Sequence, residues 1–125
     1  MEKPLLTLEK IDAYTISFEL SNRVWEMVST WESFEKWTLG KQFIESIDSV
    51  SANIAEGYYR HFKKDKINFY RYSRGSVGES IQWTEKARIR GHLSDEEASY
   101  ILDELKKLPL AINRLIRYTE TKLKF

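Results

Sequence analysis

Apolar residues return at steps of three and four through four successive stretches of this 125-residue chain, and little interrupts them. Two prolines and five glycines are the only strong breakers, and no β-branched run alternates apolar with polar residues. A step of three or four is the helical period, so each stretch predicts an amphipathic helix with one buried face. Four such helices on short links predict an all-α protein, an antiparallel up-down four-helix bundle forming one domain over residues 1–125.

The first helix is expected from about Asp12 to Trp31, with Tyr14, Phe18, Ser21, Trp25 and Val28 on one narrow stripe. Leu20, Val24 and Trp31 widen that stripe, and residues 32–36 read as the connection. The second helix, about Trp37 to Arg60, should bury Phe43, Ile47, Val50 and Ile54. Gly40 weakens its start, by roughly 1 kcal/mol if it is interior.

The third helix should run from Lys64 to Arg90, with Tyr70, Val77, Ile81 and Thr84 on one side. Beside them Ser73, Ser76, Ser80 and Ala87 form a seam of small residues that lets a neighbouring backbone come close. Gly75 and Gly78 lower helix propensity there, and close packing is the expected justification. Gly91 ends the helix as a C-cap. The fourth helix opens on Ser94-Asp95-Glu96-Glu97, a capping box, and runs to about Thr119. Ile101, Leu105, Leu108, Ile112 and Leu115 form its stripe, and Pro109 should kink it by removing the bond to the Leu105 carbonyl.

Composition then removes whole classes of chemistry. Without cysteine there are no disulfides, thiol nucleophiles or thiolate metal sites, which suits a reducing interior. No apolar run approaches the roughly 20 residues of a membrane helix, and residues 1–11 lack a signal-peptide stretch. A cytoplasmic protein without membrane contact is expected.

Bundle enzymes that bridge metals with carboxylates need Glu-x-x-His on two helices, and no glutamate here has histidine three positions later. There is no nucleophile elbow, phosphate-cradling glycine loop or dinucleotide fingerprint. The expectation is a protein with no catalytic residue, no metal site and no cofactor.

Net charge is only +1, but its distribution is uneven. Residues 1–56 carry 5 basic and 10 acidic side chains, net −5, whereas residues 57–125 carry 15 and 9, net +6. Such a split can mark a basic face, attract subunits head to tail, or merely reflect differing solvated faces. The basic aromatic stretch Tyr58-Tyr59-Arg60-His61-Phe62-Lys63-Lys64, continued by Lys66 and Arg71, suits phosphates and unpaired bases. Lys86, Arg88 and Arg90 form a second cluster at the far end of the third helix. A solvated turn whose tyrosines cover the core is the plainer alternative.

Ser46, Ser49, Asn53, Glu56 and Arg60 follow helical spacing as a polar strip beside the Val50/Ile54 stripe, with Glu56 and Arg60 set as an i,i+4 pair. Either this strip is a ligand or acid/base site, or Asn53 and Glu56 join Arg74, Ser76 and Glu79 in a polar network holding the second helix to the third. Small residues on both sides favour the network. Exposed tryptophans such as Trp31, Trp37 and Trp83 would add a partner surface, pointing to self-association.

At these residues the chain resembles the bacterial four helix bundle protein family, the 23S rRNA intervening-sequence-encoded proteins. The likeness rests on Gln42 and Ser46, on Ser51-x-Asn53-Ile54-Ala55-Glu56-Gly57 with Arg60, and on Phe69 and Gly75-Ser76-x-x-Glu79. It extends from about Tyr14 to Tyr118. The resemblance implies an up-down bundle, a ring-like homopentamer and no established enzymatic activity. Similar accessory variability proteins of diversity-generating retroelements partner a reverse transcriptase and bind nucleic acid through a basic surface. That implies RNA or DNA contact here through Arg60, Lys63, Lys64, Lys66, Arg71, Lys86, Arg88 and Arg90, with Asn53, Glu56, Ser76 and Glu79 structural.

Overall fold

The computed structural model describes residues 6–124. Residues 1–5 and 125, which the single-domain expectation includes, lie outside the described residues. A 3-10 turn, Leu8–Lys10, leads into α1 (Asp12–Val28). After a reversal at residues 29–32, a helical turn at Ser33–Glu35 and a π-type turn at Lys36–Gly40 run directly into α2 (Lys41–Tyr59). Two longer helices follow, α3 (Lys63–Ile89) and α4 (Asp95–Lys122). Each helix packs on its successor and α1 also packs on α4, the layout of an up-down four-helix bundle. Among the described residues there is no strand.

The stripes of α2 and α4 are buried as their spacing predicts: Phe43, Ile47, Val50 and Ile54 face Ile101, Leu105, Leu108 and Ile112 in one core. In α1 the buried face differs. Phe18 and Trp25 are 48% and 59% exposed, while Ala13, Ser17, Leu20, Ser21, Val24 and Val28 are buried. The hydroxyls of Ser17 and Ser21 donate to the carbonyls of Ala13 (2.6 Å) and Phe18 (2.8 Å), so burying them strands no polar atom. Small residues therefore take the tight side of α1, and the bulky aromatics are turned outward.

Two glycine expectations reverse. A Cβ on Gly75 or Gly78 would meet nothing within 4 Å, so close packing does not explain either. Gly40 lies against α1 instead, where a Cβ would stand 2.8 Å from Cγ1 of Val28. The expected connection over residues 32–36 is correspondingly short, because the chain is already helical at Ser33.

The cap signals hold in detail. Gly91 has φ +83°, His92 N donates to the Ala87 carbonyl (2.8 Å) and Gly91 N to that of Arg88 (3.1 Å), a Schellman ending for α3. Ser94 Oγ accepts from Glu97 N (3.0 Å) and Glu97 Oε1 accepts from Ser94 N (2.9 Å), opening α4. The helix then continues through Pro109 to Lys122.

Candidate nucleic-acid interface

Where α2 meets α3, the small residues form a ladder of hydroxyls. Ser73 Oγ donates to the Val50 carbonyl (2.7 Å), Ser49 Oγ to Ser76 Oγ (2.6 Å), and Ser80 Oγ to Ser46 Oγ (3.1 Å). These rungs run antiparallel and need no large side chain between the helices. At the end of the ladder Gly57 is buried under Tyr70, and a Cβ there would stand 2.6 Å from Cε1 of the ring and 3.0 Å from the Lys66 carbonyl.

The five residues expected to share one polar network do not form it. Asn53 donates to the Ser49 carbonyl on its own helix (2.9 Å), and Glu56 pairs with Arg60 at 3.0 Å near the surface. Arg74 reaches α4, donating to Asn113 Oδ1 (2.6 Å), while Glu79 accepts from Trp83 Nε1 (3.4 Å). Of the five, Ser76 alone bridges α2 and α3. Glu56, Arg74 and Glu79 sit on outward helix faces, so serines hold the helices together and no carboxylate of the five is trapped between them.

Antiparallel packing brings the start of α3 beside the end of α4, as Lys63 Nζ on the Glu120 carbonyl (3.0 Å) shows. Residues 57–74 and 111–124 together hold ten basic side chains: Arg60, Lys63, Lys64, Lys66, Arg71, Arg74, Arg114, Arg117, Lys122 and Lys124. Within those two stretches the acidic side chains are Asp65 and Glu120, and from just outside them Glu56 pairs with Arg60. Several of these cations also serve the fold. Lys66 Nζ donates to the carbonyls of Tyr58 (2.6 Å) and Gly57 (3.4 Å), capping α2, and burial pulls its ammonium below the usual lysine value. Arg60 lies over the Phe69 ring, 4.7 Å from its centroid. Lys64 and Arg71 are exposed.

The second expected cluster is elsewhere. Lys86 lies twenty residues along α3 from Lys66, roughly 30 Å away and outside the basic end. Lys86 Nζ sits 5.0 Å from the Trp83 ring centroid, and the Arg88 guanidinium meets both Glu85 oxygens at 3.3 Å, which raises its already high pKa. Arg90 is exposed.

Within the basic end lies an open cavity of about 450 Å³, walled by Tyr58, Tyr59, Tyr70 and Tyr118. Burial pushes the Tyr70 phenol up to about 12, nearby Tyr58 adds to the rise, and a hydrogen bond with Thr119 opposes it. A second, apolar groove of about 320 Å³ runs between Trp25 and Trp37 near Ile44, on the side where α1 passes the π-type turn. Among the described residues no group of three or more His, Asp or Glu side chains could hold a metal ion, and no helix is long and apolar enough to cross a membrane.

The profile of the 23S rRNA-intervening sequence proteins matches residues 9–114. The chain belongs to that family. Its fold is similar to the crystal structure of a protein of unknown function from the S23 ribosomal protein family of Bacteroides thetaiotaomicron, with a TM-score of 0.77. The two are 19% identical, and the match covers 83% of this chain and 97% of the other. No curated protein matches the chain.

In this 23S rRNA-intervening sequence protein the small residues of the central motif are thus architectural. Gly57 admits Tyr70, and the serines admit α3. The basic residues in and just beyond the last turns of α4 – Arg114, Arg117, Lys122 and Lys124 – do not stand out as a cluster in the sequence. Their signal is nonetheless there, because an up-down bundle must set the last turns of its fourth helix beside the first turns of its third.

Proposed function

We propose that the protein is a non-catalytic, oligomeric accessory protein that binds RNA or DNA through its basic end and works beside a nucleic-acid enzyme in the cytoplasm. The observation that carries this is the ten-to-two excess of basic over acidic side chains in residues 57–74 and 111–124, on a chain whose overall charge is only +1. Concentrated positive charge attracts the phosphate backbone and releases its counterions, so affinity must fall steeply with salt. Fluorescence anisotropy with a labelled RNA hairpin at about 50 and about 200 mM salt tests it; engaging six or more phosphates lowers affinity by roughly a thousandfold or more over that range. Absence of binding at the lower salt overturns the proposal.

Oligomerisation is supported by the outward aromatics of α1 and the lead-in to α2. Trp37 is 74% exposed and forms the apolar groove with Trp25, an area of the kind proteins cover with a partner. The family resemblance supports a homopentamer as the assembly, which light scattering would read as five times the 14.9 kDa chain mass. The same groove favours the second reading, a protein-interaction scaffold without nucleic-acid binding. On that reading charge reversal at Lys63 and Lys64 leaves partner capture unchanged.

A further inference from the structure

The tyrosine-walled cavity has a chemical bias of its own. Its walls present four phenol rings, its cationic lining includes Arg60, Lys66 and Lys124, and no carboxylate lines it. At about 450 Å³ it falls within the usual range for a small-ligand site. Rings with cations and no acid suit a flat π-system carrying negative charge. A base with its own phosphate is such a group, but only when unpaired, because a paired base is stacked inside the duplex.

The aromatic wall is held in place. Tyr58 donates its hydroxyl to the Leu6 carbonyl (3.1 Å), and the Lys66 ammonium lies 5.7 Å from its ring centroid. Tyr59 stands edge-to-face against Tyr58 with centroids 5.0 Å apart, yet remains 74% exposed. An exposed ring braced in this way offers a stacking face without the entropy loss of fixing a loose side chain. Lys66 uses two of its three ammonium donors on backbone carbonyls, which leaves one.

We infer that this cavity takes a single unpaired nucleotide of an RNA strand, its base stacked on Tyr59 and its phosphate against Arg60 and Lys124. The inference rests on the nucleic-acid reading above and adds to it the place of contact and the preference for an unpaired base.

The test compares an RNA hairpin ending in a closed base pair, its loop replaced by a non-nucleotide ethylene-glycol linker, with the same hairpin carrying one unpaired 4-thiouridine at its end. The full chain is used at about 50 mM salt, where phosphate contacts are strong. The unpaired hairpin should bind about tenfold more tightly, and irradiation should crosslink it to the peptide holding Tyr58 and Tyr59. Tyr59→Ala should abolish that preference and leave affinity for the closed hairpin unchanged, whereas Tyr59→Phe should keep it. A circular-dichroism melt confirms that the variants fold. Equal binding of both hairpins, or a preference that survives Tyr59→Ala, overturns the inference while the nucleic-acid reading stands. Failure of both hairpins to bind overturns both.

Discussion

Gly57 passes so close beneath Tyr70 that α3 crosses the end of α2 at a distance only glycine allows. A methyl group there would overlap a buried ring and a backbone carbonyl, neither of which can swing away. Gly57→Ala should therefore destabilise the fold by about 1–3 kcal/mol despite alanine's better helix propensity, read as a lower midpoint in urea. Gly75→Ala and Gly78→Ala, facing open space in the same chain, should each add about 0.5–1 kcal/mol. Should these two instead lower stability, the face around them is covered by another copy in solution.

Glu56 gives the opposite contrast. Its pair with Arg60 has side chains 49% and 46% exposed, so water competes for both ends. Glu56→Ala should change stability by no more than about 1 kcal/mol. Ser73→Leu, at a fully buried rung of the ladder, should remove more, about 1–3 kcal/mol, by forcing α2 and α3 apart. Thermal melts of the two variants side by side check that this helix pair depends on small buried side chains and not on the Glu56 carboxylate.

Tyr70 makes stability depend on alkaline pH. Its phenol ionises near 10 in an unfolded chain and near 12 in the fold. Between those values the native state keeps a proton that the unfolded state has lost. The stabilisation is full below pH 10 and declines as pH rises toward 12, by up to about 1.4 kcal/mol per pH unit. The lowered pKa of Lys66 acts in the other sense, so the comparison must be with Tyr70→Phe, whose melting temperature should fall less over that window.

Within the nucleic-acid reading, the two ends of α3 should not be equivalent. Lys64→Glu with Arg71→Glu should cut affinity and lower the salt slope by about 1 for each phosphate no longer neutralised. Lys86→Glu with Arg90→Glu should do much less, since those residues lie about 30 Å along α3 from Lys66. Anisotropy titrations at several salt concentrations separate the two pairs.

Much of this molecule is legible in its residues. The stripes of α2 and α4, the Ser94 box and the Gly91 ending are local signals, set by residues within a turn or two of one another. What is not legible depends on neighbours. Hydrophobicity assigns Trp25 to the core, but volume excludes it, because α1 is too close to its neighbours on the side where Ser17 and Ser21 lie. Glu56 and Glu79 match a helical period, yet period alone does not say which side faces α3. The basic end is half visible in Arg60 to Arg71, and its other half only emerges once antiparallel packing sets α4 alongside.

The π-type turn at Lys36–Gly40 has a consequence for how such chains can vary. One wide turn accommodates a residue more than a regular helix of the same height, without twisting the segments on either side out of phase. Shortening the chain by one position at Thr38 would regularise the helix and leave Phe43 and Ile47 pointing where they do now. The same excision inside α2 would rotate everything beyond it by about 100° and turn those side chains toward water. Length can drift at this one place in the helix while the interior keeps its register.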